Sequence, residues 1–555
     1  MSRILIILAS VGWLLVVACA PVAAPPAATT APGTAPTSAP ATTAGTAPTS
    51  APAATAAPSG GTQLEQITFA LPGNPGSLFV PKSWLISTGA AMSLVQEGML
   101  GFNQDLGLQP ALADKWEAKD PTTYVYHLRP NVKFSDGTPL TADDVVFSMK
   151  YNSDAAGGSQ LADFYASVDS ITATAPDEIT VKLKKPDATF QYTPAHMAGF
   201  VMSKAQFQAH PDDIGTPNVL PIGTGPYKLT KFVPGQEIDL TVNDNYWGPK
   251  PTIKNIVLKL ISDPQTAILA MRKGEIDGAF EIQAADLDQW KQIPGVQILS
   301  KPSLLIDLLT LNASKPPLDD IHVRRAIWYA VNRQGIVSAV LNNLGQPANN
   351  INPPEMWATV MSQKDVQDFY ATLMPPEFNL DKAKQELAQS SVPNGFTLDL
   401  EIPNHLPYQI AVAQVLEQDF QKIGIKLNVS VVDKSVFYGD YGNKKFPLFL
   451  RSYAPDYADP SNYPFLFLSK TGSLNASGYD NPQFDTALTN SLASPDPATR
   501  AEELKKALKL VDQDIPIVPI FWGVGLAAIG KNIDWTGFTA FYYNQPWALM
   551  GMHGK

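Results

Sequence analysis

The chain has 555 residues, 45% of them hydrophobic and 16% charged, with a formal net charge of −11. A single hydrophobic core stops growing at roughly 250–300 residues, so at least two lobes are expected. An acidic chain without a Lys/Arg block argues against a nucleic-acid binder, and a lone cysteine excludes a disulfide framework, a Cys-based zinc site and an iron–sulfur centre.

Residues 1–18 read as an export signal. Arg3 supplies the positive end, and Ile4 to Val17 is an apolar run of about 14 residues, short of the roughly 20 that span a bilayer. Val16-Val17-Ala18-Cys19 follows and resembles the bacterial lipobox, in which a small residue precedes a cysteine that is lipidated. The sole thiol of the chain stands where that thioether needs one. The competing reading is a signal cut elsewhere, with an incidental cysteine. Residues 20–61 are nearly all Ala, Pro, Thr, Ser and Gly. Such a stretch buries too little to offset its ordering entropy and reads as a semi-stiff spacer between lipid and body.

The folded part starts near Gln63-Leu64. Tyr124 to Leu128 and Asn131 to Phe134 alternate like strands, with Asp136-Gly137 as a turn signal. Thr141 and Asp144 form a capping-box pattern that opens a helix through Val145 and Met149. Gly223-Thr224-Gly225-Pro226 fails the dinucleotide pattern, because Lys228 replaces the third glycine and Pro226 lacks an N–H. It reads as a structural turn. Asp307 interrupts the apolar run from Leu304 to Leu309, so its carboxylate must be paired, solvated in a cleft or neutral. A salt bridge and a ligand contact stand level there.

Phe396, Leu398, Leu400 and Ile402 alternate as a strand, and Ile410, Ala413, Leu416, Phe420 and Ile423 recur at helical spacing. After Gly424 a second strand alternates through Ile425, Leu427, Val429 and Val431. This βαβ unit predicts a largely parallel sheet with helices on its faces, and ligands bind beyond the carboxyl ends of such strands. That edge is the loop Pro403 to Tyr408, with His405 and Tyr408. A further strand, Pro447 to Tyr453, runs into the loop Ala454 to Pro460, which places Asp456 at a similar edge. Near the C-terminus, Leu504, Ala507, Leu508 and Val511 predict a helix. No nucleophile elbow, P-loop, HExxH or nucleophile–base pair is present, so no enzyme and no cofactor is expected.

Several segments together resemble one family. They are Gln109 to Trp116, Tyr124 to Arg129, Val132 to Phe147, Ile222 to Leu229, Asn245-Tyr-Trp-Gly248, Gly274-Glu-Ile-Asp277, Val323 to Ile327 and Asp456-Tyr-Ala-Asp-Pro460. In this order, over residues 64–525, they resemble the family 5 extracellular solute-binding proteins, the oligopeptide- and dipeptide-binding components of ABC importers. The resemblance implies a two-lobed α/β clamshell with an extra subdomain in the first lobe. Lobe I would comprise 62–105, 222–301 and 528–555, its subdomain 106–221, and lobe II 302–527. It further implies that Asp456 meets a peptide's α-amino group, with Tyr453 where a tryptophan is usual and Tyr408 where the oligopeptide binder has a histidine. Lys434 falls where a cleft tryptophan is common, and Arg451 is offset by one residue from the carboxylate-binding position, which on a strand turns it to the other face. The function so implied is a monomeric, lipid-anchored receptor that hands a peptide-like solute to a permease and its ATPase. The alternatives are a receptor for a metal chelate, opine or sugar, and a sensory lipoprotein without transport.

Overall fold

Two long strands organise the molecule. Gln297–Leu311 and Ile517–Ile529 run antiparallel, pairing Gln297 with Ile529 at one end and Thr310 with Ile517 at the other. They belong to a nine-stranded sheet. Past the Ile529 end the sheet continues through Gly278–Phe280, Leu64–Leu71, Ile253–Leu260, Glu237–Val242 and Tyr227–Val233, and Leu448–Tyr453 flanks the other end. The computed structural model describes residues 62–406, 408–546 and 551–555. The export signal, Cys19 and the spacer lie outside the described residues.

The side-chain alternation of the two long strands distributes residues between separate cores. At one end Ala527 joins Phe69, Tyr227 and Leu258, while Ala528 joins Ile268, Met271 and Trp290. At the other, Leu309 and Val518 pack with Ile327, Leu400 and Leu416, while Leu308 and Ile517 pack with Trp357, Phe484 and Leu508. Successive residues thus face opposite sides of the sheet, and helices cover both faces at each end. This is a two-lobed α/β architecture. The pairing of the long strands is interrupted between Pro302 and Ile306. Gly523 lies opposite, where a Cβ would stand 3.0 Å from both Ser303 and Leu305 side-chain atoms. Any larger residue at 523 would have to push those side chains aside by a few tenths of an ångström.

The sheet is less parallel than the βαβ unit implied. Leu64–Leu71 runs parallel to both its neighbours, but the long strands and the outer hairpins are antiparallel. The βαβ unit itself is parallel, pairing Phe396 with Ile425 through to Pro403 with Val432, as a separate two-stranded sheet. Its helix, Tyr408–Gln421, buries Val412, Ala413, Leu416 and Phe420. The second strand outruns its core: Ile425 and Leu427 are buried, whereas Val429 and Val431 are exposed.

Residues 113–183 carry a four-stranded antiparallel sheet, Ala113–Asp120, Thr123–Leu128, Glu178–Leu183 and Val168–Ala175 in spatial order. The capping box at Ala142–Asn152 forms: Asp144 N–H donates to Thr141 Oγ1, and Thr141 N–H donates to Asp144 Oδ2 at 3.0 Å. Asn131 to Phe134 does not form a strand. Asn131 takes a left-handed φ of 63°, which breaks the extended run, and only Lys133 bridges, to Pro139.

Candidate functional site

Three strand ends of the second lobe meet around Tyr438, a residue of the helix Lys434–Gly442. Pro403 leads into His405, Val432 leads into Lys434, and Arg451 lies within Leu448–Tyr453. His405 Nε2 is 3.3 Å from the Tyr438 hydroxyl. The Arg451 guanidinium carbon stands 4.7 Å from the Tyr438 ring, 5.3 Å from Tyr441 and 5.6 Å from Tyr453. Aromatic faces hold a guanidinium well but do not neutralise it. Arg451 is buried, and its Nε has no hydrogen-bond partner among the described residues. Lys434 is exposed. Burial, then the charges of Lys434 and Arg451, hold the His405 pKa below its ordinary value. The cluster therefore carries net positive charge and is suited to an anionic group.

Asp456 follows Tyr453 by three residues and is half-buried. Desolvation pushes its carboxyl up to about 7, against a hydrogen bond from Asn462. Its charge is felt by Tyr453, Tyr463 and Tyr543. A carboxylate near tyrosines, partly exposed and without a cation among the described residues, can take one. Tyr543 comes from the C-terminal segment and packs in the core that holds Phe69 and Tyr227.

Asp307 and Tyr408 pair with each other. Asp307 is 0% exposed, which leaves no surface for a ligand. Tyr408 donates its hydroxyl to Asp307 Oδ2 at 3.0 Å, and Gln409 Nε2 lies 3.4 Å from Oδ1. Asp307 makes no salt bridge among the described residues; the carboxyl is held by neutral donors. Burial raises its pKa from 3.8 to about 7. The folded chain thus keeps a proton that the unfolded chain releases above 3.8, so stability falls as pH rises from about 4 to 7. Asp307→Asn should therefore stabilise the protein at pH 8 by roughly 2–4 kcal/mol and have little effect near pH 4. Denaturant unfolding at both pH values checks this, and an equal effect at the two would contradict it.

Two features escaped the sequence reading. Asp459 is fully buried and paired with Arg500, whose Nη2 donates to both carboxylate oxygens at 2.8 Å. Tyr192, from the segment after the four-stranded sheet, donates to Asp459 Oδ2 at 3.1 Å and stacks on Tyr457 with ring centroids 5.1 Å apart. Ala188 N–H also donates to the Leu492 carbonyl at 2.8 Å. These contacts tie the segment to the second lobe. The second feature is Glu97, a buried carboxyl raised to about 7 by desolvation. It accepts from Thr224 Oγ1 and Trp247 Nε1, both at 2.9 Å. Gly223 packs so closely that a Cβ would stand 1.9 Å from the Val95 carbonyl. The Gly-Thr-Gly and Tyr-Trp-Gly segments are thus scaffold, tied to each other through Glu97. Among the described residues no group of three or more His, Cys, Asp or Glu side chains could hold a metal.

A family model, bacterial extracellular solute-binding proteins, family 5 Middle, matches residues 107–475. The dipeptide-binding protein of Escherichia coli K12 is 29% identical over 457 residues, 76% of this chain and 82% of its own. Heme-binding protein A of Haemophilus influenzae is 28% identical over 467 residues, 78% and 83% of the two chains. A periplasmic binding protein of Helicobacter pylori, solved with the peptide STSA, superposes with a TM-score of 0.74 at 23% identity, covering 89% of this chain and 98% of that one. The two-lobed architecture, the ordered motifs and the matched length agree: this chain belongs to the family 5 bacterial extracellular solute-binding proteins.

Proposed function

We propose that the protein is the lipid-anchored receptor of an ABC importer, capturing a peptide or peptide-like solute between its lobes and presenting it to a permease driven by an ATPase. The observation that carries this reading is Asp456, a desolvated carboxylate near tyrosines and lacking a cation among the described residues. It would take the α-ammonium. Arg451, with Lys434 and His405, would take the ligand's carboxylate, since these groups gather at the ends of neighbouring strands. In this reading lobe I comprises 62–105, 222–301 and 528–555, with 106–221 as its subdomain and 302–527 as lobe II. The hinge is the interrupted pairing at Pro302–Ile306 opposite Gly523. Opening would separate Tyr192 from Asp459 and Tyr457, and ligand would favour their rejoining.

Small-angle scattering tests the motion: the radius of gyration should fall when a saturating peptide is added, and an unchanged profile would count against a closing receptor. The anchor is tested separately. Cys19→Ser should release the protein from the membrane fraction with ligand affinity unchanged, and retention of the variant on membranes would refute lipidation. A receptor for a non-peptide solute is the second reading, favoured by the similarity to heme-binding protein A and by exposed Lys434 at the cleft edge. Native mass spectrometry of freshly purified protein distinguishes the two by the mass of a carried ligand.

A further inference from the structure

The pairing of the two long strands stops at Pro302 and resumes at Ile306, which pairs with Trp522 on one side and Tyr453 on the other. Leu304 lies in the gap, where residues 303–305 have no register partner on either neighbouring strand. It is buried, so its carbonyl must find a donor outside the ladder. Tyr453 is the last residue of Leu448–Tyr453, and the chain leaves the sheet there for Asp456.

One hydroxyl serves both places. Tyr463, the second residue of the helix Asn462–Leu468, is 0% exposed. Its oxygen stands 2.5 Å from the Leu304 carbonyl and 3.0 Å from the Tyr453 carbonyl. A phenol has one proton to donate and a carbonyl has none, so the two carbonyls compete for a single donor. The shorter distance gives the bond to Leu304. The ring is packed in place: the centroids of Tyr453 and Phe467 are 5.5 Å apart, and Tyr463 lies 6.1 Å from the first and 6.2 Å from the second. A donor so held cannot follow an acceptor that moves away. On its far side the Tyr453 ring stands 5.6 Å from the Arg451 guanidinium, so this ring belongs to the binding site as well.

We propose that Tyr463 is a positioning residue that couples the hinge to the binding site. With the lobes joined, its proton goes to the Leu304 carbonyl. When the hinge turns the Leu304–Leu305 peptide unit away, the same proton goes to the Tyr453 carbonyl, at the end of the strand that leads to Asp456. The bond to Leu304 is thus a contact of the closed state alone, and ligand binding is linked to it. This rests on the peptide-receptor reading above; Tyr463 itself is too buried to touch a ligand.

Stopped-flow and calorimetric titration with tri-alanine test the proposal. Tyr463→Phe removes the hydroxyl and keeps the packed ring. The variant should release tri-alanine about three- to tenfold faster and bind it weaker by the same factor, which is the worth of one hydrogen bond made in one state only. Tyr479→Phe is the control. Its hydroxyl donates to Asp514 at 2.8 Å, away from the hinge, so its loss should lower the unfolding midpoint and leave affinity and release unchanged. A measurement on the wild type needs no variant. The Leu305 N–H shares the Leu304 peptide unit and donates to Ser303 Oγ at 3.3 Å; it should exchange with deuterium more slowly once tri-alanine is bound. Unchanged release from Tyr463→Phe, an equal effect of the two phenylalanine variants, or Leu305 exchange indifferent to tri-alanine each overturns this inference alone. Failure of tri-alanine to bind the wild type removes the peptide reading, and this inference with it.

Discussion

Asp456→Asn should lower peptide affinity by roughly thirty-fold or more, the loss typical when one member of a buried charge pair is removed. The substitution keeps the shape and one acceptor oxygen but leaves the α-ammonium underpaired in a closed cleft, where no water can replace the charge. The same residue sets a pH dependence. In the free protein its carboxyl lies near 7, and binding an ammonium requires the ionised form. Wild-type affinity should therefore fall as the pH drops from 8 toward 5.5, with a proton released on binding near neutrality. The asparagine variant should show neither effect. Calorimetry in buffers of different ionisation enthalpy reads both. Peptide binding that survives the substitution at full affinity, with the pH dependence intact, would remove Asp456 from the amine-binding role and leave it as the start of the turn at 456–460.

The features that came through from sequence are those written in local pattern. Alternation located Phe396–Pro403 and Ile425–Val432, an apolar run located Leu448–Tyr453, and the ends of the first and last of these placed His405 and Asp456 on edge loops, whereas Lys434 came only from the family resemblance. Thr141 and Asp144 announced a helix start for the same reason: all partners lie within one turn. What pattern does not carry is pairing across the chain. Asp307 looked equally suited to a salt bridge or a ligand, and its partners Tyr408 and Gln409 lie about a hundred residues away in sequence. Arg451 was expected to turn away from the site. Tyr438 and Tyr441, on a helix preceding the strand, create the aromatic seat that brings it in.

Arg500→Met should be among the most destabilising single substitutions in the second lobe. The Asp459 and Arg500 side chains are 0% and 4% exposed, so their desolvation is already complete and each relies on the other. Removing the guanidinium leaves Asp459 with only neutral donors, Ser461 and Tyr192, and an uncompensated buried charge costs about 3–5 kcal/mol. Asp459→Asn should cost a similar amount, since Arg500 already has a buried Nε without a partner and would lose its only charge-assisted bonds. The double variant should recover much of the loss, because two neutral groups of similar volume avoid both desolvation terms, and that non-additivity is the signature of a coupled pair. Denaturant unfolding of the three variants measures it. Single losses below about 1 kcal/mol, or strictly additive ones, would show that the pair is not the anchor of its loop. Tyr192→Phe provides a separate test. Its hydroxyl reaches Asp459 from the segment after the four-stranded sheet, so its loss should leave the ion pair intact and weaken only the contact between the lobes. The variant should be about as stable as the wild type, yet need more ligand to reach the closed radius of gyration, since a population shift is set by the difference in contacts between the two states.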